Sequence, residues 1–380
     1  MSRRTRTLEI LERLIAFPTV SDQSNLALIA WVEDLLRQAG FDVTRIAAPD
    51  GQKAGLFARC GPGTEGGVCL SAHTDVVPVA GQDWTRPAFE ITQAEGRLYG
   101  RGVTDMKGFL ASALSVAEVA GKARLRQPLS LSISYDEEIG CVGMQQMMPV
   151  LKDLIGTPQL VIVGEPTGMQ MAMGHKGKTA LRVVCDGQAG HSALAPQFVN
   201  AIHLASAFVQ EMQQLQERYA QGRRDEAYAV PYTTVHVGRI SGGTALNIVP
   251  DRAELEMEFR HSAGVAAADI RGQIAAAAAK ISAETSGGRI TVTQINAYPG
   301  LDAKADDPGL VWAGETAESA ARIRVPFGTE AGFFAALGLS TVVMGPGDMA
   351  RDGHQPDEGL DLSQLDACDA MMDRVVAALT

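Results

Sequence analysis

The sequence predicts an α/β protein that consists of one large domain interrupted by a smaller one. Several apolar, strand-like runs end in an acid or an imidazole, which is how α/β sheets build sites. The 380 residues exceed what a single core usually contains. From residue 179 the pattern changes to a βαββαβ order, which is typical of a compact two-layer module. We therefore predict a large domain formed by residues 1–178 and 299–380, with residues 179–298 inserted.

The first part of the large domain opens with two helical patterns. Pro18 ends the first and Gly40 closes the second. Glycines at 100, 102 and 108 suit a tight loop that leads into a further helix. The predicted helices are 8–17, 25–39 and 109–120, and the predicted strands are 41–46, 55–60, 68–72, 129–134 and 160–163.

The inserted module and the last part of the chain each show their own succession of strand-like and helical patterns. In the module we predict strands at 179–185, 233–240, 253–260 and 289–295, with helices at 200–219 and 265–281. In the last part we predict helices at 308–321 and 362–379, with one apolar strand at 340–344.

Composition excludes several classes of function. A net charge of -11 argues against nucleic acid as a partner, because phosphate binding needs a basic face. No signal peptide is evident, and no apolar run is long enough to span a membrane. The five cysteines are scattered without a Cys-x-x-Cys pair, which favours a reducing, cytoplasmic setting.

Five side chains near turns and strand ends are candidates for a metal site. A lone histidine or acid usually packs, caps a helix or is solvated, so none is convincing by itself. Together they offer two imidazoles and three carboxylates, which suit zinc, and also cobalt or manganese. The five are His73, Asp105, Glu138, Glu165 and His354.

Six motifs occur in an order and spacing that resemble the M20 family of dinuclear zinc metallopeptidases and deacylases. They are SAHTDVVP, GRGVTDMKG, DEEIGCVG, VGEPTG, GHSALAP and GHQPDEG. The likeness covers nearly the whole chain. It implies a mixed-sheet zinc-peptidase catalytic domain whose insert is a lid and dimerisation domain.

The resemblance also implies roles for the candidate ligands. Asp105 would bridge two divalent ions, which His73 and Glu165 complete on one side. Glu138 and His354 would complete the other ion. Two further acids have implied roles beside these ligands. Asp75 would orient His73, and Glu137 would be the general base that serves the attacking water. The alternative for Glu137 is an acid at a helix start or on the surface.

Three residues of the insert match family positions that serve the substrate. His191 is similar to the lid histidine, which often reaches a site across a homodimer and donates to the developing oxyanion. Asn247 and Arg260 resemble substrate contacts, and Arg260 could clamp a carboxylate. The alternative for His191 is a capping or core role, and for Arg260 a surface cation at a strand end.

Three details within the family resemble the acetylornithine deacetylases: His175-Lys176-Gly177, Gly328-Thr329-Glu330-Ala331 and Trp84. We therefore expect hydrolysis of N2-acetyl-L-ornithine to L-ornithine and acetate, a step of arginine biosynthesis. Glu330 could meet the cationic side chain, and the alternative for Glu330 is a purely structural role. A succinyl-diaminopimelate desuccinylase or another M20 aminoacylase or carboxypeptidase is the alternative. A binding paralogue without activity is the alternative from another class.

Overall fold

The computed structural model describes residues 2–21, 23–262, 264–317 and 321–380. The helices are α1 (Arg3–Ile15), α2 (Leu26–Gln38), α3 (Lys107–Ala120), α4 (Val142–Leu154), α5 (Ala201–Ala220), α6 (Ala267–Glu284), α7 (Pro308–Ala317), α8 (Ala331–Ala336), α9 (Met349–Asp352) and α10 (Leu362–Leu379), with a 3-10 helix at Ser192–Gln197. None of these helices combines the length and the apolar character that a membrane crossing needs.

The strands found in the described ranges form four separate sheets. They are β1 (Asp42–Ala47), β2 (Ala54–Cys60), β3 (Val68–His73), β4 (Thr92–Ala94), β5 (Arg97–Tyr99), β6 (Leu129–Ser134), β7 (Leu160–Pro166), β8 (Met171–His175), β9 (Gly177–Asp186), β10 (Gly190–His191), β11 (Thr234–Gly242), β12 (Ile248–Val249), β13 (Arg252–His261), β14 (Arg289–Tyr298), β15 (Leu301–Asp302), β16 (Arg322–Arg324), β17 (Thr341–Gly345) and β18 (Gly359–Asp361).

The chain divides into two compact units. Unit 1 comprises Met1–Gly174, Leu301–Val325 and Thr329–Thr380, and unit 2 comprises His175–Gly300 and Pro326–Gly328. Residues 175–178, 299–300 and 326–328, which the sequence pattern assigns to the large domain, group with unit 2 by their contacts.

Unit 1 is built on a mixed sheet. Among the described residues its strand order is β1-β2-β6-β3-β7-β17-β8-β15, with β16 paired to β8. The central strands β6, β3 and β7 run parallel and are buried along their whole lengths, as apolar strands covered on both faces are. Helices α1, α2, α3 and α10 contribute to the same apolar core as these strands.

The start of α3 is tied to the end of α1 by a buried lysine. Lys107 is fully buried, and its Nζ donates to the carbonyl oxygens of Leu14 (3.0 Å) and Phe17 (2.8 Å). The carbonyl of Leu14 also accepts from the N–H of Phe17 (3.2 Å), and that of Phe17 accepts from the N–H of Thr19 (2.9 Å), so Lys107 adds two bonds where α1 ends. Burial lowers the pKa of Lys107 to about 7.

Unit 2 has helices on one face of an antiparallel sheet. The sheet order is β11-β13-β9-β14, and β13 alternates between buried and partly exposed residues along its length. The buried residues of the sheet pack against α5 and α6, around Phe208 and Phe259. A second, two-stranded pairing joins β10 to β12, with His191 opposite Ile248.

Several elements differ from the sequence predictions. Helix α1 begins at Arg3 rather than at residue 8. Its first turn contains three arginines and no apolar residue, so the apolar spacing that predicts a helix starts only at Leu8. The helix predicted at 308–321 ends at Ala317, and residues 318–320 lie outside the described residues. Helix α4, the short helices α8 and α9, and strands β4, β5, β8, β10, β12, β15, β16 and β18 were not predicted.

Gly164 shows how closely α3 approaches the sheet beside the site. A Cβ atom built on Gly164 would lie 2.0 Å from ring atoms of Phe109 on α3. We expect Gly164→Ala to lower the free energy of unfolding by about 2 kcal/mol through overpacking. Urea unfolding measures the loss, and Gly164→Ala combined with Phe109→Leu should recover part of it. Equal losses in the single and double variants would show that Phe109 is not the cause.

Candidate functional site

The site forms where three neighbouring strands of unit 1 end. His73 is the last residue of β3, Glu165 lies near the end of β7, and Glu137 and Glu138 follow β6. Because β6, β3 and β7 are parallel neighbours, their carboxyl ends meet at one edge of the sheet. Asp105 approaches this edge from the loop before α3, and its peptide bond to Met106 is cis.

Asp105 lies between two imidazoles. Its Oδ1 is 3.2 Å from Nε2 of His73, and its Oδ2 is 3.4 Å from Nε2 of His354. Nε2 of His73 is also 3.6 Å from Oε1 of Glu165, and Nε2 of His354 is 2.9 Å from Oε2 of Glu138. The structure thus brings the five candidate ligands together, with each Asp105 oxygen facing a different histidine.

Two overlapping groups of ligand atoms could each hold a metal ion. His73, Asp105 and Glu138 form one group, and His73, Glu137 and Glu165 form the other, with all ligand atoms of a group within 4.8 Å of one another. His73 is 1% exposed, whereas the side chain of His354 is 46% exposed. The His354 side is therefore the more open side of the cluster.

Asp75 fixes both His73 and the acids after β6. Nδ1 of His73 donates to the backbone carbonyl of Asp75 (3.0 Å), so Nδ1 carries a proton and Nε2 is the nitrogen that faces the carboxylates. The Asp75 carboxylate accepts from the backbone N–H groups of Glu137 (3.0 Å) and Glu138 (3.2 Å). Ser21 also donates to Asp75 (2.8 Å). The orientation of three site residues thus depends on one buried carboxylate.

Burial and mutual repulsion shift the protonation of the acids. Burial first, with Asp105 and other neighbours adding, raises the pKa of Glu138 to about 8. Burial likewise raises the pKa of Glu137 to about 8, with Glu330 and Asp105 contributing. The pKa of Glu165 is raised well above its ordinary value by burial. In the metal-free chain, protons on these acids therefore neutralise part of the negative charge of the cluster. A bound cation would neutralise that charge in the same way.

The same carboxylates raise the pKa values of the two histidines. Burial lowers the pKa of His73, but Glu165, Asp105 and Asp75 outweigh it and hold that pKa well above its usual range. Hydrogen bonds to Asp105 and Glu138 raise the pKa of His354 to about 10. The carboxylates therefore stabilise positive charge at this site, and each histidine would release a proton when a metal ion binds.

Residues 69–378 match the sequence model of peptidase family M20/M25/M40. It is also 34% identical to an acetylornithine deacetylase from Klebsiella pneumoniae (strain 342), over 97% of this chain and 96% of that protein. The chain belongs to peptidase family M20/M25/M40. Members of this family are metal-dependent hydrolases, so the chain is a hydrolytic enzyme that acts on amide bonds.

Solved structures of M20 proteins share the fold. A metallo-carboxypeptidase of the M20 family from Sulfolobus solfataricus superposes with a TM-score of 0.78 at 18% identity, covering 97% of this chain and 98% of that one. A dinuclear metal binding peptidase of the M20 family from Bacillus subtilis gives a TM-score of 0.72 at 17% identity, covering 99% of this chain and 98% of that one. The predicted α/β, mixed-sheet fold class is confirmed.

The remaining predicted M20 site residues are divided between the units. His191, Asn247 and Arg260 lie in unit 2, where the backbone carbonyl of Asn247 accepts from the N–H of Ser192 (3.0 Å). Arg260, one third exposed, donates to Glu258 (2.9 Å). Glu330 lies in unit 1 and is 1% exposed, and its Oε1 has no hydrogen-bond partner among the described residues. Burial raises the pKa of Glu330 to about 7.

Two of the details that resemble acetylornithine deacetylases have structural roles. His175 is fully buried, and Lys176 donates to the carbonyl of Val230 (2.7 Å) and to that of Tyr232. Trp84 donates to Gln82 (3.0 Å) and lies under the guanidinium of Arg101. These contacts do not by themselves indicate a substrate.

Burial lowers the pKa of His175 to about 4, which predicts a pH dependence of stability. The unfolded chain binds a proton below its ordinary pKa near 6.5, whereas folded His175 stays neutral. The free energy of unfolding should therefore fall by up to about 3 kcal/mol as the pH falls from about 6.5 to 4. Urea unfolding across this range should show a shallower slope for His175→Asn, with exposed His203→Gln as the control. Equal slopes in wild type and His175→Asn would contradict the assignment.

Sequence reasoning missed two residues at the site. Ser21 lies in the short segment between α1 and α2, and only its contact with Asp75 gives it a role. Cys141, within the DEEIGCVG motif, donates from its thiol to Oε1 of Glu137 (3.3 Å). The position of Cys141 in a motif was a signal that could have been used, whereas nothing in the sequence marks Ser21.

Proposed function

We propose that the chain binds two divalent metal ions through His73, Asp105, Glu138, Glu165 and His354. The chemistry of the donors fits such ions, since two imidazoles and three carboxylates supply the nitrogen and oxygen ligands that zinc and cobalt accept. The observation that carries the proposal is Asp105, whose two oxygens face His73 and His354 at 3.2 and 3.4 Å. A carboxylate shared in this way suits a bridge between two cations.

We propose Glu137 as the general base. When bound, the two ions would polarise the substrate carbonyl and lower the pKa of a water molecule. Glu137 lies within 4.8 Å of ligand atoms of His73 and Glu165. Burial and neighbouring acids raise its pKa in the metal-free chain, and two bound cations would lower that pKa again, so that Glu137 would be a carboxylate able to take a proton from the attacking water and then give it to the departing amine.

Unit 2 is proposed as the lid and dimerisation domain. Nδ1 of His191 accepts from the N–H of Ala193 (3.1 Å), so Nε2 carries the proton and can donate to the oxyanion of the substrate. His191 is exposed, and Asn247 precedes the strand paired with it. We propose that Asn247 and Arg260 contact the substrate and that two chains form a homodimer through this unit.

The proposed reaction is hydrolysis of N2-acetyl-L-ornithine to L-ornithine and acetate, a step of arginine biosynthesis. The 34% identity to the Klebsiella pneumoniae acetylornithine deacetylase over nearly the whole chain supports this substrate. Glu330 is proposed to meet the cationic side chain of ornithine. Only 1% of Glu330 is exposed, so the ornithine side chain would have to enter the buried site to contact it.

We further propose that the enzyme works in the cytoplasm. Its five cysteines are free, and four of them are buried: Cys69, Cys141, Cys185 and Cys368. Burial raises the pKa of Cys69 and of Cys368 to about 12, so these thiols stay protonated and unreactive. Such thiols suit a reducing compartment.

A substrate panel tests the reaction. The zinc- and cobalt-loaded proteins are assayed with N2-acetyl-L-ornithine, N-succinyl-L,L-diaminopimelate, N-acetyl-L-methionine and a dipeptide. We expect the highest kcat/KM for N2-acetyl-L-ornithine. A preference for the succinyl compound would instead assign a desuccinylase, and no metal-dependent hydrolysis of any compound would favour a binding paralogue.

A further inference from the structure

One buried carboxylate joins the two loops that carry Asp105 and His354. Glu358 is 1% exposed, and its Oε1 accepts from the backbone N–H groups of Thr104 (2.8 Å) and Asp105 (3.0 Å). Its Oε2 accepts from the N–H of Gly102 (2.9 Å) and from Nη1 of Arg101 (2.9 Å). Four donors from residues 101–105 thus converge on a side chain that lies four residues after His354.

Further bonds hold the backbone around His354 to the same loop. Nη1 of Arg101 also donates to the carbonyl of Gln355 (3.2 Å), and the N–H of Gly100 donates to the carbonyl of Glu358 (3.0 Å). The side-chain amide of Gln82 donates to the carbonyl of His354 (2.8 Å). The backbone of His354 is therefore fixed from loop 100–105 and from Gln82.

The conformation of this segment needs such support. His354 and Asp357 have φ angles of 62° and 53°, in the left-handed region that residues with a side chain rarely adopt. Surrounding contacts must hold such residues in place. The Asp357 carboxylate accepts from the N–H groups of Thr85 (3.0 Å) and Arg86 (3.1 Å), which adds a second attachment.

Stability alone does not account for a buried ion pair. The desolvation of Glu358 and Arg101 offsets most of their attraction, and apolar residues often serve stability as well. The three N–H groups of Gly102, Thr104 and Asp105, however, point at one position that suits a negative charge. The Glu358 carboxylate occupies this position and belongs to the segment of His354. Its bonds therefore set the distance between Asp105 and His354.

We propose that Glu358 is a positioning residue of the metal centre, which holds Asp105 and His354 at the separation that two cations require. The inference rests on the proposed metal ligands. It assigns Glu358 no contact with the substrate or with the ions, and its effect passes through the backbone of Gly102, Thr104 and Asp105.

Zinc affinity of the metal-free protein tests this role. Dissociation constants for both zinc ions are measured by competition with a chromophoric chelator, for wild type and for Glu358→Gln. Gln keeps the shape but replaces one acceptor oxygen by a donor that faces N–H groups. We expect zinc binding that is about 10- to 100-fold weaker, the size typical when a residue that orients a ligand is lost. The absorption bands of the cobalt-loaded variant should shift as well.

Asp369→Asn is the matched control. Asp369 is also a buried acid of unit 1, but its carboxylate accepts from Thr7 (2.9 and 3.1 Å) and pairs with Arg3, both on α1. We expect Asp369→Asn to lower the Tm of the metal-free protein while leaving both zinc dissociation constants unchanged. A general loss of stability is thereby separated from a loss of positioning.

The outcomes distinguish the inference from the proposed function. Wild-type zinc affinity and cobalt bands in folded Glu358→Gln would overturn the positioning role and leave the ligands standing. A wild-type protein that does not bind two zinc ions would overturn the ligand set itself. If Glu358→Gln does not fold, Glu358→Asp takes its place, because the shorter side chain keeps the charge but withdraws the carboxylate from the N–H groups of Gly102, Thr104 and Asp105. Unchanged zinc affinity in Glu358→Asp would then refute the inference.

Discussion

Replacing Glu137 by Gln is expected to lower kcat by about a hundredfold to ten-thousandfold, the usual contribution of a general base. The amide has nearly the same shape but cannot take a proton from water or give one to the departing amine. Because Glu137 is not among the proposed ligands, the variant should still bind two metal ions. Steady-state kinetics with N2-acetyl-L-ornithine and elemental analysis of the purified protein measure the two quantities.

Asp136→Asn is the control for this experiment. Asp136 is the neighbouring acid and pairs with Lys53, and its φ of 53° suits asparagine. We expect its kcat to stay within a few-fold of wild type. A Glu137→Gln enzyme with normal kcat would remove Glu137 as the base, and one that has lost its metal would make Glu137 a ligand.

Replacing Asp105 by Asn is expected to weaken the binding of both metal ions by more than about a hundredfold, beyond the effect of losing a residue that only orients a ligand. The amide keeps one oxygen, so it cannot face both His73 and His354 with an acceptor as Asp105 does at 3.2 and 3.4 Å. Activity in the presence of stoichiometric zinc should fall accordingly. Isothermal titration of metal-free protein with zinc gives the number of sites and their affinities.

Variants with one ligand removed provide the comparison for Asp105→Asn. Glu165→Gln and Glu138→Gln should each weaken one ion and leave the other bound, because each acid faces a different histidine. Two intact zinc sites in Asp105→Asn would exclude the proposed bridge. Equal loss of both ions in all three variants would show that the two sites do not bind independently.

The sequence predicts the centre of the fold well because the central strands are simple. Strands β3 and β7 are short, mostly apolar runs, and β6 alternates leucine or isoleucine with serine. All three are buried on both faces, and each leads directly to a polar side chain of the site. Parallel strands present their carboxyl ends together, so His73, Glu138 and Glu165 could be expected to meet. The resemblance to the M20 family then implied the ligand roles of Asp105 and His354.

Other elements lack a local signal. Helix α4 follows Cys141, whose backbone dihedral angles are left-handed and whose side chain does not cap the helix. Pro149 also interrupts the helical pattern of the sequence. Strands β4, β5 and β18 have three residues each, too few for any periodicity. The contacts of Glu358 with residues 101–105 span more than 250 positions in sequence, and no local pattern reveals a hydrogen bond over that separation.

The place of β17 in the sheet has a consequence for how the protein is made. Strand β17 lies between β7 and β8, although about 170 residues separate it from both in the chain. Ribosomes deliver the amino-terminal part first, so the sheet of unit 1 keeps a gap until the last 40 or so residues have emerged. The strands and helices of unit 2 come from the continuous stretch His175–Gly300 and meet no such delay. We expect nascent chains that stop before Thr341 to expose the edges of β7 and β8, to depend on chaperones, and to lack the complete set of proposed metal ligands, because His354 follows β17.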